Sequence, residues 1–208
     1  LRPLWERAAK ATERLRVELW ERGEWLAQSA RDRLIARDRL RFDVKVSRDF
    51  KPLLREMFQG KCAYCESSTD VVAYGDIELF RPKNIYPLLA YSWDNMLFSC
   101  GICNQVYKKG LFPIRGIACS PEEQFHYAMS PGLLTKLSEE PLLLNPCYDK
   151  PQEHLIFEAD DITHEVHIIG RTEQGRTTID VLGLSRTELL QLRYKVWQTS
   201  RTLLEALA

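Results

Sequence analysis

Apolar positions recur at helical spacing through the first fifth of the chain. Leu4, Trp5, Ala8, Ala9, Leu15, Leu19, Trp20, Leu26, Leu34 and Ile35 stand among charges, which predicts helix over residues 4–41. Gly23 either divides two helices or weakens one. A short helix is predicted from Asp49 to Phe58, with Gly60 as its stop. The pattern then changes to short elements with cysteines, turns and aromatics over 61–115. Residues 116–208 open on an irregular stretch rich in Pro and Glu. Alternation returns at His154–Phe157 and Glu165–Ile169 and predicts a hairpin. A final helix is predicted after Leu184, with Ser185 as N-cap and Glu188 three residues on. The expected organisation is an N-terminal helical segment (1–60), a central core (61–115) and a C-terminal extension (116–208), packed as one compact unit.

Composition narrows the class. Of 208 residues, 45% are hydrophobic and 28% charged, as in a soluble, ordered domain. No apolar run approaches the roughly 18 residues of a membrane span. The charged start lacks the apolar stretch of a secretory signal. A cytoplasmic protein without a membrane partner is the expectation. Formal net charge is zero, but it is unevenly spread. Residues 1–41 hold 11 Lys/Arg against 7 Asp/Glu, whereas 116–208 hold 8 against 14. A globally basic nucleic-acid binder is excluded; a basic N-terminal and central surface is not. Arg31, Arg33, Arg37, Arg39 and Arg41 form either a phosphate-contacting face or a solvated helix laced with Arg–Asp pairs.

Six cysteines include two C-x-x-C pairs. Cys62-Ala-Tyr-Cys65 and Cys100-Gly-Ile-Cys103 lie 34 residues apart. Two such corners deliver four thiolates, the tetrahedral set zinc prefers. A redox role would need one pair, not two. The expected cofactor is therefore a structural zinc held by Cys62, Cys65, Cys100 and Cys103. Cys119 and Cys147 are expected to be small core residues.

Between and after the cysteine pairs stand Ile77-Glu78-Leu79-Phe80-Arg81-Pro82-Lys83, Trp93-Asp94-Asn95 and Cys103-Asn104 with Lys108 and Lys109. This set resembles the ββα-metal core of the HNH endonucleases. The resemblance implies an α+β fold: a zinc-stabilised ββα-metal core with flanking N- and C-terminal helices. It implies that Glu78 and Asn104 hold a catalytic magnesium or manganese ion, and that Asn95 orients the general base through its loop. Lys108 would sit near the scissile phosphate. A hard ion takes oxygen ligands and would neutralise transition-state charge. Arg81, Lys83 and Lys109 could add phosphate contacts.

One position departs from the pattern. The family places its general-base His directly after the acid, and here that residue is Leu79, which accepts no proton. Three explanations stand: another His folds in as substitute, the chain is a natural pseudo-nuclease, or a nuclease has had its base substituted. A scaffold that binds nucleic acid or an ATPase without cutting is the alternative function.

Further segments extend the likeness: Leu88-Leu89-Ala90-Tyr91-Ser92, Phe112-Pro113, Glu140-Pro141-Leu142-Leu143-Leu144-Asn145-Pro146 and Thr178-Ile179-Asp180-Val181-Leu182-Gly183-Leu184-Ser185-Arg186. With the core they are similar to the HNH subunit of Septu and retron anti-phage systems, the PtuB-like proteins, over about residues 50–195. That family implies a DNA substrate and a PtuA-like ATPase partner. In retron versions it implies a reverse transcriptase and its RNA–DNA product. No P-loop occurs in the chain, so nucleotide hydrolysis would belong to another chain. Trp5, Trp20, Trp25 and Trp197 offer a docking face or pack on the domain's own core.

Overall fold

The structure is a computed structural model, and it describes residues 2–21, 40–69, 74–130 and 137–207. Helix α1 spans Arg2–Glu21, where Ala8, Ala11, Thr12, Leu15 and Leu19 make one buried stripe. Gly23, Trp25 and the cluster from Arg31 to Arg39 lie outside the described residues. Two short helices follow. α2 (Val44–Arg48) starts at Asp43, whose side chain accepts from the Lys45 amide. α3 (Lys51–Met57) has Pro52 in its first turn, where a missing amide hydrogen costs nothing. Gly60 ends this stretch at φ 69°, a conformation suited to glycine.

Strand β1 (Asp76–Leu79) pairs antiparallel with β2 (Met96–Ser99), setting Glu78 opposite Leu97 and Leu79 opposite Met96. A wide π-helical segment, Ile102–Lys108, follows β2. Two paired strands and a helical segment thus follow one another along the chain. Leu15, Leu19, Val46, Phe50, Leu54, Leu88, Met96 and Phe98 share one buried cluster. α1 thus contributes directly to the core behind β2. Trp5 is half-buried and packs edge-on against Phe50 and Trp93, whereas Trp20 is exposed.

The stretch expected to be irregular holds a helix, α4 (Pro121–Ala128). The Ser120 hydroxyl accepts from Glu123 N–H and the Glu123 carboxylate accepts from Ser120 N–H, a reciprocal capping box. Ser-Pro-Glu-Glu is a helix start, and the proline falls where a helix tolerates it. Cys119 is buried as expected, but Cys147 is exposed. Its amide bonds Asn145 Oδ1 in a tight turn and not in a core.

The chain divides into two compact units, Leu1–Glu140 and Pro141–Ala208. Within the first unit the N-terminal helices and the strand pair share the core just described. In the second unit, β3 (Leu155–Asp160) and β4 (Glu165–Gly170) form the predicted hairpin, extended to Asp160. Helix α5 (Glu173–Leu182) begins at Thr172, which accepts from Gly175 N–H, and ends at Gly183 in the left-handed region. Helix α6 (Thr187–Leu207) starts two residues beyond the expected cap, with the Arg186 carbonyl accepting from Leu189 and Leu190. Trp197 lies on α6, where its ring meets Tyr194. Both helices pack on β4, burying Val166, Ile168, Ile179, Leu182, Leu189 and Leu190. Among the described residues no helix is long and apolar enough to cross a membrane.

Gly183 has φ 56° and ψ 42°, so a Cβ there is strained. Gly183→Ala is expected to cost about 1 kcal/mol, read as a lower midpoint in urea unfolding.

Candidate metal centre and adjoining pocket

The first cysteine corner is made by the backbone after Gly60. Cys62 N–H donates to Ser67 O, Glu66 N–H donates to Cys62 O, and Lys61 and Ser68 bridge around them. Ala63 N–H donates to Phe98 O at 2.8 Å, which ties this corner to β2. The second corner leaves the end of β2. Cys103 sits in the first turn of the π-helical segment, and its amide points at Cys100 Sγ from 3.4 Å.

The four sulfurs lie within 4.8 Å of one another, and none is in a disulfide. Tetrahedral zinc thiolate geometry, with bonds near 2.3 Å, requires sulfur separations of about 3.8 Å. Cys65 and Cys100 sulfurs stand 3.9 Å apart. The donor set therefore fits zinc and could hold it as a structural ion. Their mutual hydrogen bonding splits the four thiols into two pairs. The Cys100 hydrogen bond holds Cys65 low, and Cys103 brings Cys100 down to about 6, while Cys62 and Cys103 are pushed up. Crowded thiols share few negative charges; a dication would let all four ionise.

A pocket of about 360 Å³ opens beside this centre, lined by Glu78, Leu79, Lys83, Asn104 and Lys109 among others. The structure thus brings together five positions singled out in the sequence. Glu78 is 3% exposed, and its Oε1 meets Lys108 Nζ at 2.5 Å. Tyr64, in the first cysteine corner, donates to the same oxygen at 3.4 Å. Burial pushes the Glu78 carboxyl up, against the pull of Lys108; burial pushes Lys108 down, against the pull of Glu78. The Lys83 ammonium lies 4.7 Å from the Phe42 ring centre, a cation–π contact at the pocket wall. Lys109 ends the π-helical segment at φ 50° and ψ −117°, an uncommon conformation for a side chain with Cβ.

The other three positions, Lys108, Arg81 and Asn95, do not line the pocket. Lys108 is fully buried and also donates to Leu79 O at 3.0 Å, so its ammonium faces inward. Arg81 is 4% exposed; its Nε donates to Glu139 Oε1 at 2.6 Å. Glu139 also accepts from Tyr86 O–H and Cys119 N–H. Arg81 is therefore engaged inside the unit and is not presented to the pocket. Asn95 is fully buried. Its Oδ1 accepts from Arg81 N–H at 2.8 Å, and its Nδ2 donates to Arg81 O and Leu89 O. Its own carbonyl accepts from Phe80 N–H. Asn95 thus clamps the chain directly after Leu79.

Asn95→Ala leaves several buried backbone groups unpaired. It is expected to lower stability by about 2–4 kcal/mol, seen as a lower thermal midpoint, without loss of bound zinc.

Sequence reasoning missed Tyr64 and Glu139. Tyr64 lies inside the C-x-x-C motif, where the cysteines draw the eye. Glu139 lies 58 residues from Arg81, a pairing no local pattern encodes.

A four-cysteine centre packed against a strand-pair-and-helix pocket defines an α+β protein with a candidate structural metal. Comparison with known proteins goes further. The chain is 40% identical over 168 residues to Septu protein PtuB of Bacillus mycoides (strain KBAB4), covering 74% of this chain and 53% of that protein. It is 31% identical over 141 residues to Septu protein PtuB of Bacillus thuringiensis, covering 67% of this chain and 42% of that one. The chain spans about half the length of these relatives. Over the matched stretch it is PtuB-like. A protein named Septu protein PtuA, also from Bacillus mycoides (strain KBAB4), is 26% identical over 157 residues, 69% of this chain and 20% of that protein. No family model and no solved structure matches the chain.

Proposed function

We propose that this chain is an HNH-type, metal-dependent DNA endonuclease subunit of a Septu anti-phage defence complex, with its general-base position filled by Leu79. The observation that carries the reading is the convergence of Glu78, Leu79 and Asn104 on one pocket that also presents Lys83 and Lys109. The names of the relatives support a Septu system over a retron one. The partner is a PtuA-like ATPase.

Glu78 and Asn104 would hold magnesium or manganese. A carboxylate and an amide oxygen on one wall suit a hard ion, although Glu78 is already engaged by Lys108. When bound, the ion supplies charge neutralisation at the phosphate. Lys83 and Lys109, both exposed, bind and orient the nucleic-acid backbone. Asn95 fixes the loop behind the base position. Leu79 performs no proton transfer, so the chain as it stands binds without efficient cutting. This same residue favours the second reading, a zinc-stabilised scaffold for nucleic acid or the ATPase.

The pocket's role in binding is tested with labelled DNA by fluorescence anisotropy. Combining Lys83→Ala with Lys109→Ala should weaken binding about tenfold or more at moderate salt and reduce the salt slope by about two. Unchanged affinity and slope would remove the phosphate-contact assignment.

A further inference from the structure

We infer that Lys108 is the resident counter-ion of Glu78, and that the pocket takes a divalent ion only by displacing this ammonium. The inference rests on the metal-pocket reading above and deepens it.

Three observations meet here. Lys108 Nζ lies 2.5 Å from Glu78 Oε1, and both side chains are almost completely removed from water. The ammonium is seated a second time by Leu79 O at 3.0 Å, so it is held in place and not loosely parked. Glu78 is the one acid among the described pocket-lining residues, which also include Lys83 and Lys109. With Glu78 neutralised by Lys108, the lining presents no uncompensated negative charge. A divalent ion arriving at Glu78 meets a cation already on that carboxylate, plus two more on the wall. Two cations on one buried carboxylate repel strongly, because little water screens them. Low metal affinity is therefore built into the free chain. A bound phosphodiester, carrying its own negative charge, would offset that repulsion and favour the exchange. Lys108 then acts as a positioning residue that sets when the pocket accepts its ion.

Binding of Mn²⁺ to the zinc-loaded chain, followed by electron paramagnetic resonance, tests this without any cleavage. Lys108→Gln removes the charge and keeps a donor for Leu79 O; Lys108→Met is the apolar companion. Glu78→Gln reports whether binding occurs at this pocket. Either Lys108 variant should bind Mn²⁺ about tenfold or more tightly than the unaltered chain, and Glu78→Gln should abolish binding. If Glu78→Gln abolishes binding while both Lys108 variants bind equally or less tightly, Lys108 is no counter-ion, and the metal reading survives. If no chain shows Glu78-dependent binding, the metal reading itself falls, and this inference with it. Retained zinc shows that each variant is folded. A second measurement needs no variant. In the unaltered chain the Lys108 Nζ nuclear magnetic resonance signal should shift as Mg²⁺ is added. A signal unmoved while Mg²⁺ fills the Glu78 pocket would overturn the exchange.

Discussion

Leu79→His is expected to raise the rate of DNA cleavage by about 10²–10⁴-fold, the usual worth of a positioned general base. The position is prepared for it. The Leu79 carbonyl is held by Lys108, and the next two residues are bonded to Asn95. A new imidazole would therefore grow from a fixed backbone into the pocket that already presents Glu78 and Asn104. The cost is modest, because Leu79 is only partly buried against the core. Imidazole titrates near neutral pH, so it can accept a proton from water under physiological conditions. Cleavage should rise with pH through about 6–7, following loss of the ring's proton. Plasmid nicking against pH checks both statements.

Removal of a metal ion held at the four-cysteine centre is expected to be the second large effect. Structural zinc supplies roughly 10 kcal/mol or more of folding energy in small domains. The segments it would join hold few regular backbone bonds. Residues 61–69 form a corner of isolated turns, and Glu66 sits at φ 61°. Both corners are fastened to the C-terminal end of β2, by the Ala63–Phe98 bond and by chain continuity at Cys100. Loss of such an ion would leave four crowded sulfurs, most of them buried, that cannot all ionise. A strong chelator, or Cys103→Ser, should therefore melt the region around β1 and β2. The second unit has its own hairpin and helices, with its own buried residues. Hydrogen exchange should show lost protection in β2 and retained protection in β3 and β4. Equal protection of β2 with and without chelator would contradict a structural ion.

These effects divide along what the sequence makes readable. Two C-x-x-C corners are a local pattern, and the structure gathers their sulfurs as that pattern implies. The hairpin and the first helix were equally legible, since alternation and helical spacing reflect which face is buried. α4 was obscured because proline and acidic residues look irregular in composition, although Ser120 and Glu123 state a helix start. The buried ion pairs were not legible at all. The resemblance placed Lys108 near a scissile phosphate and Arg81 among the phosphate contacts. Their partners, Glu78 and Glu139, stand 30 and 58 residues away, and only the folded chain brings them together. A cation beside an acid in space is invisible to any reading of neighbours in sequence.

The Glu78–Asn104 pocket is proposed to be a nuclease pocket silenced at Leu79. It is tested most directly by supercoiled-plasmid cleavage with three chains: unaltered, Leu79→His, and Leu79→His combined with Glu78→Gln. Each is assayed in Mn²⁺ and in EDTA, with and without a PtuA-like ATPase. Only Leu79→His should cut, EDTA should stop it, and adding Glu78→Gln should silence it. Cleavage by the unaltered chain, or no difference between Leu79→His and its Glu78→Gln companion, would contradict this reading.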